Sequence, residues 1–314
     1  MRYALSNPGI AAIPRHPFER AIMANIPFKQ VDVFTAVPFK GNPVAVVLKA
    51  DGLSTEQMQQ IANWTNLSET TFVLPATDPA ADYRVRIFTP SAELPFAGHP
   101  TIGTAHALLE AGLIKASDGA LVQQCAAGLI QLKVAREDDG AQWISFDLPE
   151  PKLTPLDAGQ VDALASLLGT PLHDWFAPCV VDVGPRWAVV QLPSAKAVLA
   201  AAPDLQRMKA QDAKAGYTGV VIFGEHEQGA PARIELRAFA PAHGINEDPV
   251  CGSGTGSVGA FIRHSGQMAH FGAAFLASQG AVVGRAGVLR LALSEQVIQV
   301  GGNAVTCVTG ELTV

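Results

Sequence analysis

The sequence has little of what would assign it quickly. Its four cysteines (Cys125, Cys179, Cys251 and Cys307) are set far apart, with no CxxC pair and no zinc-ligand spacing. That excludes a disulfide framework and a zinc module, and with no secretory leader to be read it predicts reduced thiols in the cytosol. Charged residues are only 16% of the chain, the net charge is -6, and no basic run occurs, so a nucleic-acid partner is excluded. No apolar stretch approaches the roughly 18 residues that a membrane span requires. A soluble, cytoplasmic protein is expected.

The common signature motifs are missing as well. There is no GxGxxG after a strand and no GxxxxGK[ST], so nucleotide binding has no warrant. The eight histidines form no HExxH pattern, and no metal cluster is expected. Gly252-Ser-Gly254 lacks the spacing of a hydrolase nucleophile elbow, because Cys251 precedes the first glycine.

What the sequence does have is an internal repeat. Arg86-Ile-Phe-Thr-Pro90 is echoed by Arg237-Ala-Phe-Ala-Pro241, and Glu93-Leu-Pro-Phe-Ala-Gly-His-Pro-Thr101 by Glu247-Asp-Pro-Val-Cys-Gly-Ser-Gly-Thr255. The shared skeleton is R-x-F-x-P, a short loop, then E-x-P-x-x-G-x-x-T, with three residues inserted in the second copy. Each copy is preceded by alternating, strand-like residues and followed by a helix, over 101–111 closed by Gly112 and over 255–265 closed by Gly266. At 314 residues the chain suits two halves of roughly 120–150 residues each.

Other elements are legible too. Ser54-Thr-Glu-Gln57 is a capping box opening a helix that ends near Trp64. Strands are predicted from Ile26, over 70–74, 129–135 and 143–146, and from Ala281 onward; helices over 161–168 and 195–208. Leu148 to Pro155, with three prolines in eight residues, reads as the linker. Residues 1–27 read as an extension outside the fold, with Met23 an alternative start. The lobes expected are then 28–147 and 148–314, the last strand being a candidate to return to the first lobe.

Several side chains stand where chemistry could sit. Two helix N-termini in equivalent positions offer free N–H groups and partial positive charge to an anion. Gly98 and Gly252 allow a ligand close to the backbone, or else only tight packing. His99 follows Gly98 and reads either as a helix-entry residue or as a proton shuttle. Asp248 and Ser253 flank the second turn, and both are ordinary capping residues. Cys251 lies at a helix start, where thiol pKa values fall, and reads equally as a small buried hydrophobe. Glu69, taken alone, reads as a solvated loop carboxylate.

Val31-Asp-Val-Phe34, Phe39-x-Gly-Asn-Pro43-x-Ala-Val46, Asn66-Leu-Ser-Glu-Thr70 and the two repeat blocks, in that order, resemble the PhzF-like family of phenazine-biosynthesis isomerases, whose fold is that of diaminopimelate epimerase. The resemblance implies an α+β protein of two pseudo-symmetric lobes, each a barrel-like, mostly antiparallel sheet around one helix, with the active site between them. It implies a homodimer, no cofactor, and proton transfer on a small carboxylate substrate. By motif, Glu69 matches the proton-transferring glutamate, His99 and Asp248 further catalytic residues, and Gly98, Gly252, Ser253 and Cys251 the substrate-binding region. One departure is Cys251, where the family has threonine. Related racemases pair two cysteines, but here the equivalent position is Ala97. The alternatives are a one-thiol racemase, epimerase or lyase using Cys251, or a non-catalytic small-acid binding protein.

Overall fold

The structure, a computed structural model, describes residues 25–137, 140–174 and 176–314. Met23 and the rest of the segment 1–24 lie outside the described residues. In chain order the first part comprises β1 (Asn25–Val33), β2 (Asn42–Val47), α1 (Thr55–Thr65), β3 (Glu69–Leu74), β4 (Tyr83–Phe88), β5 (Glu93–Leu94), α2 (Gly98–Glu110), β6 (Ala120–Cys125), β7 (Gly128–Arg136) and β8 (Gln142–Asp147). There follow β9 (Lys152–Pro155), α3 (Ala158–Leu168), β10 (Cys179–Asp182), β11 (Arg186–Gln191), α4 (Ala195–Ala200), α5 (Leu205–Ala215), β12 (Gly219–Glu225), β13 (Ile234–Ala240) and β14 (Ile245–Asp248). The chain closes with α6 (Gly252–His264), α7 (Met268–Phe271), β15 (Ala274–Gln279), β16 (Gly287–Leu293), β17 (Ile298–Gly302) and β18 (Ala304–Thr313).

The strand pairings repeat as the sequence does. β2 lies parallel to β3 and β4 parallel to β6; β11 lies parallel to β12 and β13 parallel to β15. The other named pairings are antiparallel. β8 pairs with β17 and so joins the two sheets, while β18 runs back along β1. Each lobe thus has a mostly antiparallel sheet about one helix, as expected. The first strand begins at Asn25, and Asn25 to Pro27 pair with β18, so these three residues belong to the fold and not to the extension.

The helices α2 and α6 are buried nearly all round, the mark of a helix enclosed by its sheet. Small residues make room for them. A Cβ on Gly103 would come within 2.4 Å of Val44 Cγ1, and one on Gly256 within 2.6 Å of Leu148 Cδ1. Both helices start three residues earlier than the periodicity indicates, at Gly98 and Gly252: Pro100 falls within the first turn of α2, where its missing N–H costs nothing, and the first turn of α6 is capped by the Cys251 sulfur. The helix expected over 195–208 is two, since Pro203 interrupts it and Asp204 caps α5 through the Arg207 amide. The proline-rich linker contains β9, paired with β10.

The repeat skeleton has a structural meaning. Arg86 makes two bonds of 2.7 Å to Glu93 and lies 5.1 Å over the Phe88 ring. Arg237 does the same with Glu247, at 2.9 and 2.8 Å, and lies 5.0 Å over Phe239. Each bidentate pair ties a long strand to the short one leading into the central helix, and so fixes where that helix begins.

Candidate active site

Glu69 enters the site by way of a helix end. α1 stops at Asn66, whose left-handed conformation (φ 53°) turns the chain back, and the Thr65 and Thr70 hydroxyls bond at 2.8 Å across the turn. β3 therefore opens on Glu69, in register with Val44 of β2. The side chain is buried, not solvated as its local sequence suggests. Its Oε2 lies 3.2 Å from Nε2 of His99, in the first turn of α2, with exposures of 13% and 8%. The two atoms are close but out of hydrogen-bond alignment, and both are buried without a partner. His99 donates to the Pro43 carbonyl, and since Nε2 is the unpartnered nitrogen, Nδ1 carries that proton.

The second lobe brings Asp248, at the end of β14. Its Oδ1 accepts from Asn42 Nδ2 at 2.9 Å and from the Val250 amide at 3.1 Å, and the Cys251 thiol donates to the same carboxylate. Gln279 braces the turn by accepting from the Cys251 amide at 2.9 Å and donating to the Asp248 carbonyl at 2.8 Å. Cys251 Sγ caps α6 by accepting from the Gly254 amide at 3.3 Å. Ser253 Oγ lies 3.6 Å from that sulfur and accepts from Trp187 Nε1 at 3.0 Å. Gly98 and Gly252 open α2 and α6, which touch each other. A Cβ on Gly98 would come within 2.8 Å of the Phe146 ring, and one on Gly252 within 3.2 Å of the Phe34 ring. Ala97, just before α2, supplies no side-chain cap, so the amides of Gly98 and His99 remain available.

Burial sets the protonation states. It raises the Glu69 carboxyl to about 8, with the Asp248 charge adding to the rise. It lowers the His99 imidazole to about 3, against the pull of the Pro43 carbonyl. Asp248 rises to about 6 by burial, restrained by its bonds from Cys251 and Val250. Near neutrality Asp248 is thus ionised, His99 is neutral and Glu69 mostly holds its proton. Cys251 departs from the sequence expectation: its thiol is pushed well above 9, because burial and then Asp248 outweigh the helix N-terminus.

Glu69, His99, Asp248 and Cys251 are therefore linked in one buried group, with Ser253 attached through Cys251. Sequence reasoning missed Asn42, Pro43, Gln279 and Trp187. Asn42 and Pro43 stood in a motif already singled out, but nothing local reveals that they reach His99 and Asp248. Among the described residues no three His, Cys, Asp or Glu gather as a metal would need. No helix among them is long and apolar enough to cross a membrane. Two open grooves, one beside Leu164 and Tyr217 and one beside Trp64 and Leu312, include none of these site residues.

Residues 31–310 match the PhzC-PhzF family, described as phenazine biosynthesis-like protein. The chain is 42% identical over 292 residues to antisense-enhancing sequence 1 of Schizosaccharomyces pombe, covering 90% of this chain and 97% of that one. It is 36% identical over 282 residues to the trans-2,3-dihydro-3-hydroxyanthranilate isomerase of Pseudomonas chlororaphis, covering 88% and 95%. The crystal structure of a Bacillus anthracis PhzF-family protein superimposes with a TM-score of 0.81 at 26% identity, over 93% of this chain and 100% of that one. The protein belongs to the PhzC-PhzF family and is an isomerase.

Proposed function

We propose that the protein moves a proton along the carbon frame of a small carboxylate substrate, with Glu69 as the acid/base. The observation that carries this is the facing pair of buried atoms, Glu69 Oε2 and His99 Nε2, 3.2 Å apart and both without a hydrogen bond. A buried polar atom with no partner is costly, so two together imply a role that a ligand completes.

The reaction follows from the protonation states. Glu69 as carboxylate takes a proton from a substrate C–H, and the electron pair left behind spreads toward the substrate carboxylate. The same acid returns the proton to another carbon, so nothing is oxidised or reduced. A carboxyl poised near 8 suits both directions. Neutral His99 sets no positive charge beside Glu69, so the acid keeps its high proton affinity. The amide groups at the starts of α2 and α6, beside Gly98 and Gly252, are suited to the substrate carboxylate and to the charge that develops on it. Asp248, ionised nearby, keeps the proton affinity of Glu69 high.

The thiol reading is weaker. Cys251 is held protonated and is engaged in capping α6 and bonding Asp248, which supports a structural part for it. A cytosolic homodimer completes the proposal, in keeping with four free cysteines. The test is turnover of trans-2,3-dihydro-3-hydroxyanthranilate and other small unsaturated acids by protein dialysed against a chelator. Isomerised product is expected without any added ion or cofactor. Turnover that is lost on dialysis and restored by one divalent ion contradicts the reading.

A further inference from the structure

Asn42 opens β2 and is fully buried. Its Nδ2 donates to Asp248 Oδ1 at 2.9 Å and to the Val250 carbonyl at 3.0 Å, both in the second lobe. Those two partners are acceptors, which fixes the orientation of the carboxamide. Turned over, its oxygen would face two oxygens. Oδ1 is therefore the atom left over, buried and without a partner. The neighbouring Pro43 carbonyl takes the His99 proton, so the dipeptide touches His99 on one side and Asp248 on the other. Gly41 aims it: φ is 64° there, and a Cβ would fall 2.2 Å from the Val33 carbonyl oxygen.

We propose that Asn42 is a positioning residue whose two polar atoms have separate tasks: Nδ2 latches the second lobe onto the first at Asp248 and Val250, and Oδ1 accepts a hydrogen bond from a hydroxyl or amino group borne by the substrate near its carboxylate. The second task rests on the carboxylate cleft proposed above; the first does not. The physical reason is the asymmetry of buried hydrogen bonding. A buried acceptor with no protein partner favours a ligand that brings a donor and discriminates against one that lacks it.

Two measurements separate the tasks. In the ligand-free protein, Asn42→Asp keeps the shape and an acceptor but sets a carboxylate against Asp248 Oδ1 and the Val250 oxygen, while Asn42→Ala removes both atoms. Amide hydrogen exchange at Val250 and Gly254 is expected to quicken about tenfold or more in both variants, with β7 unchanged as an internal control. Unchanged exchange at those amides overturns the latch, and the Asn42→Asp result stands even if Asn42→Ala does not fold. In the second measurement, calorimetry compares 2-aminobenzoate with benzoate, which differ only in the donor. The wild type is expected to prefer 2-aminobenzoate about tenfold and Asn42→Ala to show no preference. A preference that survives in Asn42→Ala, or one absent from the wild type, overturns the acceptor role. Binding of neither acid defeats both that role and the carboxylate cleft, while the exchange result continues to decide the latch.

Discussion

Glu69 Oε2 and His99 Nε2 face each other at 3.2 Å inside the protein, and neither atom has a hydrogen bond. The imidazole is already committed through its other nitrogen to the Pro43 carbonyl, and burial keeps it neutral, so it faces the carboxyl without a positive charge. Burial, reinforced by Asp248, then keeps the proton on Glu69 up to about pH 8. An acid held ready to lose and regain one proton is what an isomerase without net redox chemistry needs.

This arrangement makes stability depend on pH in a definite direction. The folded-state value of Glu69, about 8, lies above its ordinary 4.5. The stability contributed by the buried neutral acid is fully present below the ordinary value and is lost as pH rises through the folded one. Glutamine does not titrate, so Glu69→Gln should gain on the wild type by on the order of a few kcal/mol between pH 5 and 9. Thermal melts of both proteins across that range measure it. Curves that stay parallel contradict the assignment of a buried, proton-holding Glu69.

Asp248→Asn should move the activity profile. For the wild type, kcat/KM should rise with pH, with its midpoint near 8 and its plateau above that, as Glu69 becomes the base. Removing the neighbouring negative charge makes ionising Glu69 easier, so the midpoint should fall in the variant, along with a reduced maximum. A midpoint that holds still or moves upward means that Asp248 does not act on Glu69 electrostatically.

The two arginine clamps should differ in strength although their sequences match. The Arg237 and Glu247 side chains are 6% and 10% exposed, those of Arg86 and Glu93 26% and 35%. Arg237→Ala strands a buried carboxylate and should cost about 3–5 kcal/mol, whereas Arg86→Ala should cost about 1 kcal/mol. Urea unfolding of the two variants decides between this and an equal loss.

These clamps also mark how far the sequence could be read. The repeat was legible because R-x-F-x-P and the following glutamate are local patterns, as are the capping box at Ser54 and the closing glycines of the central helices. The chemistry was less so. Glu69 looks solvated from its neighbours, since its burial comes from α2 and from the other lobe. Cys251 looks acidic from its place at a helix start, since the burial that reverses this, with Asp248 adding to it, is seen only once the fold is in place. Asn42 carried no signal of its own, because its partners lie more than 200 residues away. The split of α4 from α5 at Pro203 was, by contrast, available in the sequence, in the proline and the capping Asp204 behind it.

The most direct measurement of the central claim is solvent-deuterium incorporation into a turned-over acid by the wild type, Glu69→Gln and Cys251→Ser. The amide keeps the shape of the carboxyl but cannot take a proton, and general acid/base groups typically contribute about 10²–10⁴-fold. The wild type should wash deuterium into the carbon frame, Glu69→Gln should lose the exchange by that factor while still binding the acid, and Cys251→Ser should retain most of it. Strong exchange in Glu69→Gln, or its loss in Cys251→Ser alone, would contradict the account and place the proton transfer on another group.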